Sequence, residues 1–412
     1  MKIGIGHLPA PACRDAGLRS NQIWFLRVVL LPLAVLASAG IAHAASSYVI
    51  NAILPLTGPT SFLGKGEQTA LQVLEKAVNS QGGIEGRSVR FEFKDDQSSA
   101  QQAVQVASQL VAQGVPVIIG PSTVSECNAV APILRESTFM YCASPGFHPK
   151  AGSYAFTSYV EARDLVKVSL RYLRLRGWTK IALLTTTDAS GQDATAALKE
   201  ALKDPENKGV QLVAEATFNP LDISVSAQAE RIKAARPQAL ITWTTGGPTG
   251  VMLKGLEQGG VQLPTVISAS NMTHAQMMQY RTFLPKEVYF AATAWPEHGD
   301  VLKLAPEVET EQQLFHAGYK AAGLATEGPP TYIWDSAVIV IDALRKLGAN
   351  ANAKQIHDYV ASMKDIAGIN GTYDFVKVPQ RGLSESDTVM TMWDPAKQAW
   401  RVVSKPFGLP IQ

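Results

Sequence analysis

Few residues in this chain could do chemistry, and the familiar catalytic patterns fail one by one. Lys94-Asp95-Asp96 holds two neighbouring carboxylates, the raw material of an acid/base pair, but adjacent positions at a strand end read as a polar loop. Gly58 to Gly66 has the outline of a phosphate-binding loop. Five residues rather than four separate Gly58 from Gly64-Lys65, however, and Gly66 stands where Ser or Thr would reach Mg²⁺. No G-x-S-x-G, H-E-x-x-H or C-x-x-C occurs. His148, His274, His298, His316 and His357 are too dispersed for a metal cluster and mostly read as solvated or singly hydrogen-bonded side chains. Neither an enzyme nor a bound metal or cofactor is expected.

What remains is the chemistry of binding. Gly120-Pro121-Ser122-Thr123-Val124-Ser125 follows a β-branched run and opens an amphipathic one, so its hydroxyls and backbone N–H groups stand at a helix N-terminus, an arrangement that suits a carboxylate or another anion. The same Ser and Thr could serve as plain helix caps. Ala143-Ser144-Pro145-Gly146-Phe147-His148-Pro149 is a rigid bend that offers an aromatic face and an imidazole. Further along, Thr187 to Gly191 with Ser190, Thr244-Thr245-Gly246-Gly247, and Ser268 to Thr273 with Ser270 and Asn271 are polar, mostly neutral loops of the same kind. Together they favour a cleft between two lobes that grips an anionic end on one side and an uncharged tail on the other.

The elements that must position these loops alternate regularly. Strands are expected over Val49–Leu54, Val89–Phe93, Val115–Ile119 and Phe139–Cys142, and helices over Thr69–Val78, Ala100–Val111 and Ala129–Arg135. An irregular aromatic passage, Ser153 to Val160, precedes a second set. Its helices are expected at Leu165–Leu175, Ala194–Leu202, Ala227–Ala235 and Val251–Gln258. Its strands are expected at Ile181–Leu184, Val210–Ala214, Ala239–Trp243, Thr265–Ile267 and Val288–Ala292. Long helices at Glu309–Ala322 and Tyr332–Leu347 and a strand pair, Val389–Trp393 with Trp400–Val403, complete the chain. Strand, helix, strand at this spacing implies right-handed βαβ units and an α/β fold with parallel-rich sheets, in which ligands bind beyond the carboxyl ends of the strands.

Composition agrees. The 412 residues are 46% hydrophobic and 17% charged, enough to bury substantial cores in two or three domains. The formal charge of +2 owes its sign to residues 1–44, where Lys2, Arg14, Arg19 and Arg27 face Asp15 alone. The rest is nearly neutral and has no basic blocks, so nucleic acid is not an expected partner. Arg19 and Arg27, the apolar run from Val28 and the Ala42-His43-Ala44 site read as a cleavable secretion signal ending near Ala44/Ala45, too short for the roughly 20 apolar residues a bilayer span needs. No Cys follows that site, so no lipid anchor is indicated. Cys13 departs with the signal. Cys127 and Cys142 then either pair or remain two buried thiols, a choice their spacing leaves open.

The order Leu54-Pro55-Leu56-Thr57-Gly58-Pro59, Gly64 with a following helix, Gln81-Gly82-Gly83-Ile84-Glu85-Gly86-Arg87, Lys94-Asp95-Asp96, Val117-Ile118-Ile119-Gly120-Pro121 and Ser144-Pro145-Gly146 resembles the periplasmic substrate-binding proteins of branched-chain amino acid (Leu/Ile/Val) type ABC transporters. The similarity runs from about Tyr48 to Trp400. It implies a type I periplasmic binding fold, two Rossmann-like lobes joined by a three-crossover hinge: 45–160 plus 295–385, and 161–294 plus 386–412, after a signal at 1–44. It further implies a monomeric, periplasmic, non-enzymatic receptor that closes on a small-molecule ligand and delivers it to an inner-membrane ABC permease. A sensory module presenting the bound solute to a signalling partner is the alternative.

Carried over from that family, the hydroxyl loop falls on Ser122, Thr123 and Ser125, although the most direct match is Val124. The loop gripping the amino acid backbone falls on Gly146 to His148, and second-lobe contacts fall near Ser190, Gly246 and Ser270. Ser270 stands where the family pairs an acid with an α-ammonium, and Glu161 is the nearest substitute. An aromatic or aliphatic carboxylate therefore fits better than a branched-chain amino acid, with Phe62, Phe147, Trp243 and Trp295 as candidate packing surfaces and Thr244, Thr245 and Asn271 as neutral partners.

Overall fold

The computed structural model describes residues 47–296 and 301–411. The segment read as a secretion signal, with Cys13, and His298 lie outside the described residues. Tyr48–Leu54 (β1) pairs in parallel with Val89–Asp95 (β2) and Val117–Ile119 (β3). Phe139–Cys142 (β4) and Ala155–Thr157 (β5) extend this first sheet in the order β2-β1-β3-β4-β5. Ser61–Ser80 (α1), Ala100–Ala112 (α2) and Val124–Leu134 (α3) connect the strands. The buried stripe of α2, Ala103, Ala107 and Leu110, shows the spacing of one helix face.

Ala162–Leu175 (α4) opens the second set. Lys180–Thr186 (β6), Gln211–Phe218 (β7), Ala239–Trp243 (β8), Thr265–Val266 (β9) and Val288–Thr293 (β10) are its parallel strands, linked by Ala189–Ala201 (α5), Ser226–Ala235 (α6), Gly247–Gln258 (α7) and His274–Tyr280 (α8). The chain then returns to the first lobe as Pro306–Ala321 (α9), Pro330–Leu347 (α10) and Ala353–Ser362 (α11), where α10 packs on α1, and as the hairpin Ile366–Gly368 (β11) with Gly371–Tyr373 (β12). Finally Thr388–Asp394 (β13) and Ala399–Val402 (β14) join antiparallel beside β10, giving the order β14-β13-β10-β9-β8-β6-β7. The lobes are thus joined by three passages: β5 to α4, β10 to α9, and β12 to β13. No helix of the described residues is long and apolar enough to cross a membrane.

The differences from expectation have local causes. Helix α1 begins at Ser61 rather than Thr69 and runs through Gly64, where a Cβ would lie 2.3 Å from the Pro55 carbonyl oxygen; only glycine lets the helix start so close to the exit of β1. Helix α3 begins at Val124 rather than Ala129, because the Ser/Thr stretch is a cap: the Glu126 carboxylate accepts from the Thr123 N–H at 3.2 Å, the reciprocal half of a capping box. The short β5, α8, α11 and the β11/β12 hairpin had no expected counterpart. At Gly120, φ is +88° and a Cβ would lie 2.1 Å from the Ile53 carbonyl oxygen, so glycine is required where β3 hands over to the Ser122 loop.

Cys127 on α3 and Cys142 at the end of β4 are both buried and are joined as a disulfide, their Cα atoms 6.1 Å apart. Of the two readings the sequence left open, pairing is the one the fold adopts. Two contacts also tie one lobe to the other. The Phe62 ring of α1 lies against the backbone of Gly246 in the loop after β8. His148, in the loop after β4, reaches Glu161 Oε1 at 2.5 Å through Nδ1 and Asp193 Oδ1 on α5 at 2.8 Å through Nε2. Hydrogen bonds to Asp193 and Glu161 push the His148 imidazole up to about 9.

Removing the disulfide with a Cys127→Ala/Cys142→Ala variant is expected to lower the unfolding free energy by about 3 kcal/mol, from the loop it closes. Urea unfolding reads this, and a midpoint unaffected by the change or by reductant would contradict it. His148 is bound more tightly by its proton in the folded chain than in the unfolded one. Its contribution is therefore complete below the ordinary histidine range, near pH 6.5, and is lost as pH rises through about 9. His148→Gln should cost about 2 kcal/mol at pH 6, allowing for solvent screening of a partly exposed pair, and the gap to the unsubstituted protein should close above pH 9. A gap in the melts that does not vary with pH would assign the effect to packing instead.

Candidate ligand-binding site

A cavity of about 270 Å³ lies between the lobes, at the carboxyl ends of both sets of parallel strands. The first lobe contributes Pro59, Thr60, Leu63 and Ser98, the run Ser122 to Glu126, Ala143 to Gly146, and Tyr332 from α10. The second contributes Asp188 to Ser190, Pro220, Leu221, Trp243, Thr245, Pro248 and Ser268 to Ser270, together with Leu165 on α4. This position follows from the topology. In a parallel sheet each strand hands over to its helix at the same edge, so the helix starts gather there. Thr60 precedes α1, Thr123 caps α3, Asp188 caps α5 and Gly246 precedes α7, so four helix N-termini converge on one cleft.

The electrostatics follow from those starts. No described Lys or Arg lines the cavity. The two acids that do are engaged at helix starts: Glu126 with the Thr123 N–H, and Asp188 Oδ1 with the Gly191 N–H at 2.9 Å. Positive potential in the cleft therefore comes from the helix starts themselves, although Ser61, Leu63, Gly191 and Thr249 already bond their N–H groups to loop carbonyls or to the Asp188 cap. Around them is a ring of hydroxyls. Thr123 and Ser125 approach to 3.0 Å, Thr245 and Ser270 to 3.0 Å, and Ser270 and Ser268 to 2.7 Å. Ser190 Oγ accepts from the Trp243 indole at 3.2 Å. Leu63, Val124, Pro145, Leu165, Trp243 and Pro248 provide apolar wall. Among the described residues no group of His, Cys, Asp and Glu could hold a metal ion.

Of the residues singled out from the sequence, Ser122, Thr123, Ser125, Gly146, Ser190, Thr245 and Ser270 come together on this cavity, with Trp243. The others lie elsewhere. Phe147 is buried with Cys127 and Cys142 in the core behind the first sheet, and Trp295 is buried in the second-lobe core. Phe62 and Gly246 meet across the lobes, and His148 spends both ring nitrogens on Glu161 and Asp193. Thr244 is buried and accepts through its carbonyl from Ser268 and Asn271. Asn271 is buried beneath the cleft and braces the loops, accepting from the Gly246 N–H and the Thr249 hydroxyl, both at 3.0 Å. The pair Asp95-Asp96 splits: Asp95 ties down Leu56 and Thr57, whereas Asp96 is buried.

Sequence reasoning missed Glu67, Tyr332 and Leu221. Glu67 is buried at 0% exposure, with its carboxyl on the Ser122 hydroxyl that lines the cavity. It had a signal, being the one charged residue on the buried stripe of α1 beside Leu63, Ala70, Leu71 and Leu74. Tyr332 arrives from far along the chain and packs against Tyr159 with ring centres 4.2 Å apart and planes tilted by 52°. Leu221 lines the mouth although it is 84% exposed.

A two-lobed α/β molecule with a cleft of this build has known counterparts. Residues 47–397 match the family model described as "Periplasmic binding protein". Over 181 residues the chain is 31% identical to the Leu/Ile/Val-binding protein BraC3 of Rhizobium johnstonii, a match spanning 44% of this chain and 42% of that protein, so the aligned part is less than half of the relative's length. Among solved structures, an extracellular ligand-binding receptor from Rhodopseudomonas palustris HaA2 superposes with a TM-score of 0.77 at 21% identity, covering 87% of this chain and 99% of that one. The branched-chain amino acid transporter substrate-binding protein LivJ from Streptococcus pneumoniae, in complex with isoleucine, gives 0.72 at 19% identity over 87% and 99%. At those identities the structures speak for the fold alone, which is the type I periplasmic binding fold. With most of its residues, 47–397, matched by the family model, this chain belongs to the periplasmic binding proteins.

Proposed function

We propose that the protein is an exported, periplasmic solute receptor that captures a small carboxylate between its lobes and hands it to an inner-membrane ABC permease. The observation that carries the carboxylate is the convergence of four helix N-termini and a ring of hydroxyls on a cavity without lysine or arginine. Of the lining acids, Glu126 is buried in a capping box and Asp188 is turned through one oxygen to the Gly191 N–H at a helix start, while the second-lobe wall near Ser270 is neutral. A buried cation without a partner costs several kcal/mol, so an aliphatic or aromatic acid lacking the ammonium fits better than a branched-chain amino acid. The cavity holds a ligand of about the bulk of nine waters. Contacts from both lobes favour the closed form by their differential affinity, and non-enzymatic capture and release as a monomer suffices for this role.

The test is calorimetry with small aliphatic and aromatic acids and their amides. Ser122→Ala should weaken binding of the preferred acid at least tenfold, the loss expected of one charge-assisted hydrogen bond. Thr123→Ala should, in addition, lower stability by about 1 kcal/mol through loss of the α3 cap. Affinity unchanged in both variants, or preference for an amide over its acid, would overturn the carboxylate assignment.

A further inference from the structure

The carboxyl of Glu67 lies immediately behind the wall that would hold the ligand's negative end. One oxygen, Oε2, is hydrogen-bonded to Ser122 Oγ; the other, Oε1, is buried without a partner. The charged groups bearing on it are both acids, Asp96 in the turn after β2 and Glu126 on α3, each buried; from α10 it faces the phenol of Tyr332. Burial and the two neighbouring acids both oppose ionisation of Glu67, so its carboxyl favours the protonated form. Glu126 accepts a backbone N–H at the positive end of α3, and Asp96 Oδ1 accepts the Ser98 N–H at 2.9 Å. Glu67 has only a hydroxyl, so its anion is the least compensated of the three. Were the proton on Oε1 it would be a buried donor with no acceptor, which costs free energy; on Oε2 it has Ser122 Oγ.

We propose that Glu67 is a positioning residue: as a neutral acid it donates from Oε2 to Ser122 Oγ and thereby turns the Ser122 O–H into the cavity, as a donor for the ligand's carboxylate. The inference rests on the carboxylate reading above and names the group that sets it. Burial, with Asp96 and Glu126, pushes the Glu67 carboxyl up to about 8 against the opposing pull of Ser122. Above that pH the bond reverses, Ser122 donates to a Glu67 carboxylate, and the cavity loses a donor and gains a negative charge beneath it.

Two measurements test this. In the ligand-free protein carrying Asp96→Asn, which removes the other buried acid that titrates in this range, infrared difference spectra between pH 6 and pH 9 should show a protonated-carboxyl band that Glu67→Gln removes and that Ser122→Ala, which deletes the acceptor, shifts to higher frequency. With benzoate, phenylacetate, isovalerate and hexanoate, each beside its amide, the preference for acid over amide should fall at least tenfold across that pH range in the unsubstituted protein and stay constant in Glu67→Gln. Taking the ratio cancels the His148 contact, which acts on closure whatever the ligand. A band that Glu67→Gln leaves in place, a band that Ser122→Ala leaves unshifted, or a Glu67→Gln variant that follows the same loss of preference would overturn the proposal. If no acid in the panel binds, the carboxylate reading fails, and the infrared band and its shift still decide whether Glu67 holds and donates the proton.

Discussion

In a parallel sheet every strand passes to its helix at one edge, and that single constraint organises this molecule. Because β1, β3, β6 and β8 all end at the cleft, α1, α3, α5 and α7 all begin there, and their positive dipole ends create a positive region without any basic side chain. The loops can therefore be built from Gly, Ser and Thr. Their task is to approach closely and to offer hydroxyls, as Gly120 does by clearing the Ile53 carbonyl so that Ser122 and Thr123 reach the wall.

The acids near the cleft follow from the same field. Glu126 and Asp188 sit at helix starts, where anions are stabilised, and their bonds to backbone N–H groups leave less of that potential for the cavity. Glu67 and Asp96 lie one layer behind, where burial dominates. Burial pushes Asp96 up, as it does Glu67. The cleft thus has a front of hydroxyls and amides and a back of buried acids whose protons are held more tightly than usual, that of Glu67 most tightly. Whether the front behaves as donor or acceptor depends on the back.

Much of this was legible. Alternating β-branched and amphipathic runs located nearly all the long elements, and the hydroxyl loops after Ile119 and Trp243 pointed to the cleft because strand ends are where ligands bind. Three kinds of residue were not legible from pattern alone. Asn271 and Thr244 look like ligand contacts by type, yet a loop that must hold Gly246 against Phe62 needs internal hydrogen bonds more than it needs exposed ones. His148 looks like a cavity imidazole, but its partner Asp193 comes from another lobe, and spacing along the chain carries no such information. Tyr332 reaches the cavity because α10 crosses back onto α1, a fact of tertiary packing.

The contacts that join the lobes bear on affinity in a way the cavity wall does not. A ligand that binds only the closed form pays for closure with part of its intrinsic affinity, in proportion to how rarely the empty protein closes. In the receptor proposed above, His148 with Glu161 and Asp193, and Phe62 with Gly246, join the lobes without lining the cavity, so they act on closure whatever the ligand. Hydroxyls and helix starts on the wall discriminate among ligands. On that proposal, strength of capture and choice of ligand rest on different residues, and a change in one leaves the other adjustable.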